Sequence, residues 1–138
     1  MQIKIDPALT ADEVVQLRKA SGWDHDLSEW QASLKQNLIN VSARDEQGKV
    51  VGVCFLCGNQ RHAEMTDLVV HPDYRQKGIG RQLFRVVASW ALEHKIKYLS
   101  LTYDKDYPWL KDLYESEGFQ SIDFAMWHTS SLDSHNNN

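Results

Sequence analysis

Along the chain, apolar and polar positions change their period in an orderly way. Gln2–Ile5 alternates polar and apolar residues, which predicts a short strand. Thr10-Ala11-Asp12-Glu13 has the form of a capping box, with Thr10 as the cap and Glu13 reaching back to it. Val14, Val15 and Leu17 then give an apolar face that runs to about Ala20, and Gly22 closes the helix. A second helix is predicted from Leu27 to Gln36, where Trp30 and Leu34 stand four apart on one face. Ile39, Val41 and Ala43 alternate again, and the turn residues Asp45-Glu46-Gln47-Gly48 lead into the run Val50–Cys57. That combination predicts a hairpin.

After a polar loop at Gly58–His62, Ala63–His71 reads as another strand, closed by Pro72. Ile79, Leu83, Val86, Val87, Trp90 and Ala91 keep helical spacing between Gly78 and about His94. Tyr98–Thr102 is the next strand, Trp109–Glu117 a helix ended by Gly118, and Phe119–His128 a last strand. The order is β, two helices, a β-meander, helix, β, helix, β. Its strand-helix-strand unit from Ala63 to Thr102 is expected to be a right-handed parallel crossover, which places the chain in the α/β (α+β) class. The polar tail Ser130–Asn138 is expected to be disordered.

Composition adds limits. At 138 residues the chain has the size of one domain, and no apolar run approaches the roughly 20 residues that cross a bilayer. The start, Met1–Pro7, has no apolar block of the signal-peptide kind, so a cytoplasmic protein is expected, with no membrane partner. The net charge of −4 argues against a general nucleic-acid grip. Within that acidic chain, Arg75, Lys77, Arg81 and Arg85 gather in eleven positions, which suits a small anionic ligand. Cys54 and Cys57 have C-x-x-C spacing, but they fall in a β-branched run. Positions three apart on a strand point to opposite faces, so a buried structural role is expected and no metal site.

The chemistry-bearing candidate is Arg75-Gln76-Lys77-Gly78-Ile79-Gly80-Arg81. Gly78 and Gly80 lack a Cβ, so backbone amides there can approach a ligand closely. The first amides of a helix have no intrahelical partner and carry the positive end of its dipole. A diphosphate fits such a place. The segment lacks the G-K-S/T ending of a P-loop, and it lacks the third glycine and ribose-binding acid of a dinucleotide fold. On these residues alone, a glycine needed only for helix packing competes with a pyrophosphate site.

Val69 to Leu83 resembles the central motif of the GCN5-related N-acetyltransferases (the GNAT superfamily), Q/R-x-x-G-x-G/A, and Leu113-Tyr114-Glu115-Ser116-Glu117-Gly118-Phe119 resembles the second, C-terminal signature of that family. With the meander upstream, the resemblance covers nearly the whole chain. It implies one GNAT-like domain over residues 1–129, with a mixed central sheet, flanking helices and a parallel strand pair that splays at one end. It implies acetyl-coenzyme A as donor and no metal. The strands Asp67–Val70 and Tyr98–Thr102 would part, and the pantetheine would run along Leu68, Val69 and Val70 like an added strand. The amides of Gln76, Lys77, Gly78, Ile79, Gly80 and Arg81, with the Arg75 side chain, would receive the pyrophosphate.

The resemblance also assigns roles. Acetyl transfer to an amine needs a proton acceptor, since an alkylamine has a pKa of about 10.4. Glu64, eleven residues before Arg75, stands where one branch of the family has its base; the competing reading is an exposed strand carboxylate. Strict alternation would turn Asp67 to the other face. Tyr114 matches the tyrosine that protonates the leaving sulfur, against a plain reading as a core aromatic beside Phe119. Many relatives have an asparagine, touching the pantetheine, where this chain has Tyr107. The acceptor is expected to be a small-molecule amine attacking directly in a ternary complex, with Trp23, Asp24, Trp30 and nearby acids suiting a cation. The alternatives are a protein lysine or N-terminal acetyltransferase and a coenzyme A-binding sensor without turnover. A homodimer is compatible with such a fold.

Overall fold

The computed structural model describes residues 1–103, 108–122 and 125, with the side chains of Pro108 and Trp109 left aside. The backbone falls into two compact units, Met1–Thr102 and Tyr103–Asn138.

The first unit is a five-stranded mixed sheet with helices on both faces. Its elements are β1 (Gln2–Ile5), α1 (Ala11–Ser21), α2 (Leu27–Gln36), β2 (Ile39–Arg44), β3 (Val50–Gly58), β4 (His62–Val70), a 3-10 turn (Pro72–Tyr74), α3 (Ile79–Glu93) and β5 (Tyr98–Leu101). Strands lie in the order β1-β2-β3-β4-β5. The first three pairings are antiparallel, and β4 pairs parallel with β5 across α3, as the crossover requires.

Local chemistry sets these boundaries. Thr10 Oγ1 accepts from the Glu13 amide at 3.2 Å, and Glu13 Oε1 accepts from the Thr10 amide at 3.0 Å. That reciprocal pair satisfies two amides at the start of α1. Gly22 ends the helix at φ +79°, a left-handed turn that glycine adopts without a Cβ penalty. Asp26 caps α2 by accepting from the Ser28 and Glu29 amides.

On one face α1 and α2 close a core of Leu9, Val14, Leu17, Trp30, Val50, Val53, Phe55 and Val69. The Trp30 and Phe55 rings lie 5.2 Å apart. On the other face α3 comes so near β3 that a Cβ on Gly52 would meet Leu83 Cδ1 at 2.9 Å and Ile79 Cγ2 at 3.4 Å. Glycine leaves room for that approach, whereas an alanine would have to displace the Leu83 methyl.

Asp6 is a buried carboxylate at the end of β1. Burial alone would raise its pKa. Hydrogen bonds from Ser42 Oγ (2.6 Å) and Arg44 Nε (2.9 Å), with the Arg44 charge, outweigh burial and hold it below its ordinary value. Arg44 also meets Glu13, which ties β2 to α1. A carboxyl lowered on folding contributes stability above the unfolded pKa, and loses it as pH falls through the folded value. The melting temperature is therefore expected to drop below ~pH 4. Asp6→Asn should melt lower at neutral pH and show a flatter acid limb in a thermal scan across pH.

Both cysteines are free thiols. Cys54 is buried on β3, and burial, with the Asp67 charge adding to it, pushes its thiol up to about 12. Cys57 is half-buried, and its Sγ donates to Asn37 Oδ1 at 3.1 Å. Among the described residues no helix is long and apolar enough to cross a membrane.

In the second unit, α4 (Pro108–Ser116) ends at Gly118, whose φ is +103°. A strand was expected to follow from Phe119. Its described part, Phe119–Ile122 and Ala125, is not strand, and the remainder, like the tail Ser130–Asn138, lies outside the described residues.

Candidate active site

The parallel pair stops early. β4 and β5 are in register at His62↔Tyr98, Ala63↔Leu99, Glu64↔Ser100 and Met65↔Leu101, and Thr66–Val70 have no partner in β5. On its other edge β4 stays paired with β3 as far as Gly52↔Val70. The parting of the two strands was expected from the resemblance, and it begins one residue before the expected Asp67.

A bulge marks the place. Between Phe55↔Thr66 and Val53↔Val69, β4 has one residue more than β3, and Asp67 sits at φ +56°. An extra residue bends its strand and shifts the alternation of side chains. The sequence expectation that Asp67 faces away from Glu64 is therefore corrected. Glu64 stands in register with Cys57, on the face of Val53 and Phe55 that packs against α1 and α2. Asp67 reaches the same side, where its Oδ1 accepts from Arg18 Nη1 of α1 at 3.1 Å. Glu64 is half-buried and Asp67 is exposed.

Beyond Val70 the chain turns toward α3. The His71 amide donates to Val51 O at 2.8 Å, so the Val70 carbonyl, on the opposite side of the same peptide, points to the edge that β5 leaves. Arg75 Nε donates to that carbonyl at 3.1 Å. Tyr74 Oη donates to Asp45 Oδ2, which braces the loop against the β2–β3 turn, and Lys77 Nζ lies 5.3 Å over the Tyr74 ring.

Gln76 (φ +62°) and Gly78 (φ +79°) are both left-handed, an arrangement that turns amides toward one concave side. Gly78 caps α3 with no side-chain bond. The first helix bond runs from the Gln82 amide to Gly78 O, so the amides of Ile79 and Gly80 precede it and have no carbonyl of their own helix to meet. Gly80 bears on the packing alternative left open by sequence. A Cβ there would meet only Val70 Cγ2, at an ordinary 3.8 Å. Among the described residues beyond its own helix, no closer atom calls for glycine at that place.

Leu68, Val69 and Val70 thus lie along the parted strand, and Arg75, Gln76, Lys77, Gly78, Ile79, Gly80 and Arg81 form the adjoining turn. Leu68 and Val70 are half-buried, while the Val69 side chain belongs to the core under α1. In the second unit Tyr114 is buried between the rings of Tyr103 (6.1 Å) and Phe119 (6.3 Å). Tyr107 lies outside the described residues. Arg18 and the bulge escaped the sequence reading, although Arg18 follows Val14 by four positions and Leu17 by one, on the face that α1 buries.

A strand edge left open beside an amide-rich helix start has the chemistry to take a long, phosphorylated ligand, with amides along the edge and phosphates at the turn. The family model described as an acetyltransferase (GNAT) domain matches residues 38–121, more than half of the chain. The chain belongs to the GNAT acetyltransferase family and is an N-acetyltransferase; that family uses acetyl-coenzyme A as a rule. No curated protein sequence matches the chain.

Among solved structures, it is similar to a probable acetyltransferase from meticillin-resistant Staphylococcus aureus. That pair has a TM-score of 0.80 and 18% identity over 92% of this chain and 97% of the other. A GNAT-family acetyltransferase from Streptococcus pneumoniae TIGR4 gives a TM-score of 0.75 and 24% identity over 92% and 96%. The ribosomal-protein-alanine N-acetyltransferase of Escherichia coli gives 0.78 and 19% over 88% and 79%. At these identities the likeness establishes the fold. The family match begins at residue 38 and leaves out α1 and α2.

Proposed function

We propose that the chain transfers the acetyl group of acetyl-coenzyme A to the primary amine of a small, cationic molecule by direct attack in a ternary complex. The observation that carries this reading is the β4 edge at Thr66–Val70, unpaired by β5 and continuous with the Gly78–Gly80 turn. The pantetheine amides would bond along Leu68–Val70, with Arg75 leaving the Val70 carbonyl, and the amides from Gln76 to Arg81 would take the pyrophosphate.

The amine nitrogen attacks the thioester carbonyl, and an amide near Val70 holds the oxyanion. The C–S bond then breaks, and Tyr114 gives its phenolic proton to the leaving thiolate. Glu64, directly or through a water, removes the proton that the attacking nitrogen sheds. Products are the N-acetyl amine and free coenzyme A. Glu64 puts a carboxylate on the α1–α2 side, and Trp23, just past α1, is 40% exposed. Acids beside an aromatic ring attract a cation.

Release of free thiol from acetyl-coenzyme A, measured against a panel of small amines and of peptides, tests this reading. Acetylation of amines, and loss of turnover at neutral pH in Glu64→Gln with recovery toward the amine pKa, is expected. Acetylation of peptides alone would replace the small-molecule acceptor by a protein. Binding of acetyl-coenzyme A without turnover on any acceptor would leave a sensor.

A further inference from the structure

We propose that Arg18 is a positioning residue for the donor strand. Its guanidinium holds the bulge at Asp67 and ties it to the α1–α2 linker, so one buried cation sets both sides of the site.

Arg18 lies on a helix whose other buried residues are Val14 and Leu17, and it is only 4% exposed. Arginine is rarely so buried unless its charge is met. Here each guanidinium nitrogen has a partner. Nε donates to the Asp24 carbonyl at 2.5 Å, Nη2 to Asp24 Oδ1 at 2.7 Å, and Nη1 to Asp67 Oδ1 at 3.1 Å. The Trp30 ring lies beneath it, 4.9 Å from Cζ. A planar fork that makes three directed bonds fixes the geometry of its partners more tightly than a point charge does.

Those partners matter because of where they stand. Asp24 belongs to the linker between α1 and α2, and its side chain is largely exposed. Asp67 is the left-handed residue of the β4 bulge, two positions past the last β5 partner, Met65. A left-handed backbone strains any residue but glycine, and aspartate is among the few that tolerate it. The Arg18 bond offsets that strain and keeps the extra residue in β4, which bends Thr66–Val70 away from β5. Arg18 is not proposed to touch a donor or acceptor atom. It acts through the shape of β4.

This inference rests on β4–β5 being the donor site. Its test is coenzyme A affinity by calorimetry, with melting temperature measured beside it. Asp67→Gly keeps the left-handed backbone without the carboxylate, and should bind within about threefold of the parent chain; Asp67→Ala opposes that backbone and should bind about tenfold or more weakly. Arg18→Met should also weaken binding about tenfold or more, and Arg18→Met with Asp67→Gly should recover most of that affinity while its melting temperature stays low. A purely structural arginine would not allow a recovery of affinity without one of stability. Equal loss in Asp67→Gly and Asp67→Ala, or no recovery in the double variant, overturns the proposal. Should Arg18→Met fail to fold, the two Asp67 variants decide alone. A parent chain that binds no coenzyme A would instead overturn the donor-site reading and this inference with it.

Discussion

Tyr114→Phe is expected to lower kcat about a hundredfold while leaving KM for acetyl-coenzyme A within about threefold. Phenylalanine keeps the ring that packs between Tyr103 and Phe119, so the surroundings of α4 should stand. It removes only the oxygen. The departing thiolate has a pKa of about 8.5 and a phenol one of about 10, close enough for the phenol to share or give its proton as the C–S bond lengthens. That assistance exists only while charge develops on sulfur, and an interaction of this kind appears in kcat rather than in KM. Steady-state thiol release under saturating acceptor separates the two constants. A raised KM with unchanged kcat would return Tyr114 to the role of a buried aromatic.

Gly80→Glu is expected to weaken acetyl-coenzyme A binding about a hundredfold without lowering the melting temperature. The Cβ has room, since among the described residues beyond its own helix the nearest atom is Val70 Cγ2, at 3.8 Å. A glutamate in the first turn of α3 complements the helix dipole, and glycine is a poor helix former, so the fold should gain slightly. The ligand loses on both counts. The new carboxylate draws on the positive end of the helix that would otherwise face the pyrophosphate, and it repels that group at short range. Calorimetric titration reads the affinity, and raising the salt concentration should narrow the deficit. Gly80→Ala is the control, expected to stabilise α3 and to keep most of the affinity. If Gly80→Glu binds the coenzyme like the parent chain, the pyrophosphate lies elsewhere.

Most of the fold could be read before the structure because its signals are local. Thr10 and Glu13 cap α1 through bonds three residues apart, and Gly22 ends it by its own backbone freedom. Trp30 could be placed on the inner face of α2 by its spacing to Leu34. The Arg75–Gly80 turn was equally visible, because its chemistry follows from glycines and cations adjacent in the chain. What could not be read depends on residues far apart. The β4 bulge comes from a mismatch of one residue between β3 and β4, and Asp67 has no neighbour that announces it. Arg18 meets Asp67 across 49 positions, so its burial depends on a partner that period does not reveal. The roles of Glu64 and Tyr114 came from the family resemblance, since a half-buried carboxylate and a buried phenol have many uses.

The kink in β4 has a second consequence, for the protein before any coenzyme is bound. An unpaired run of strand is a template on which another chain can lay its own strand, the first step of edge-to-edge aggregation. Among the described residues, Thr66–Val70 is such a run on the side that β5 leaves. A flat edge of that length would invite a neighbour; one that carries an extra residue, and whose last carbonyl is taken by Arg75, presents a broken ladder instead. A flexible pantetheine arm can follow that line, whereas a second strand needs several evenly spaced partners in succession. The same irregularity thus turns away the polymer while leaving room for the ligand proposed to lie there.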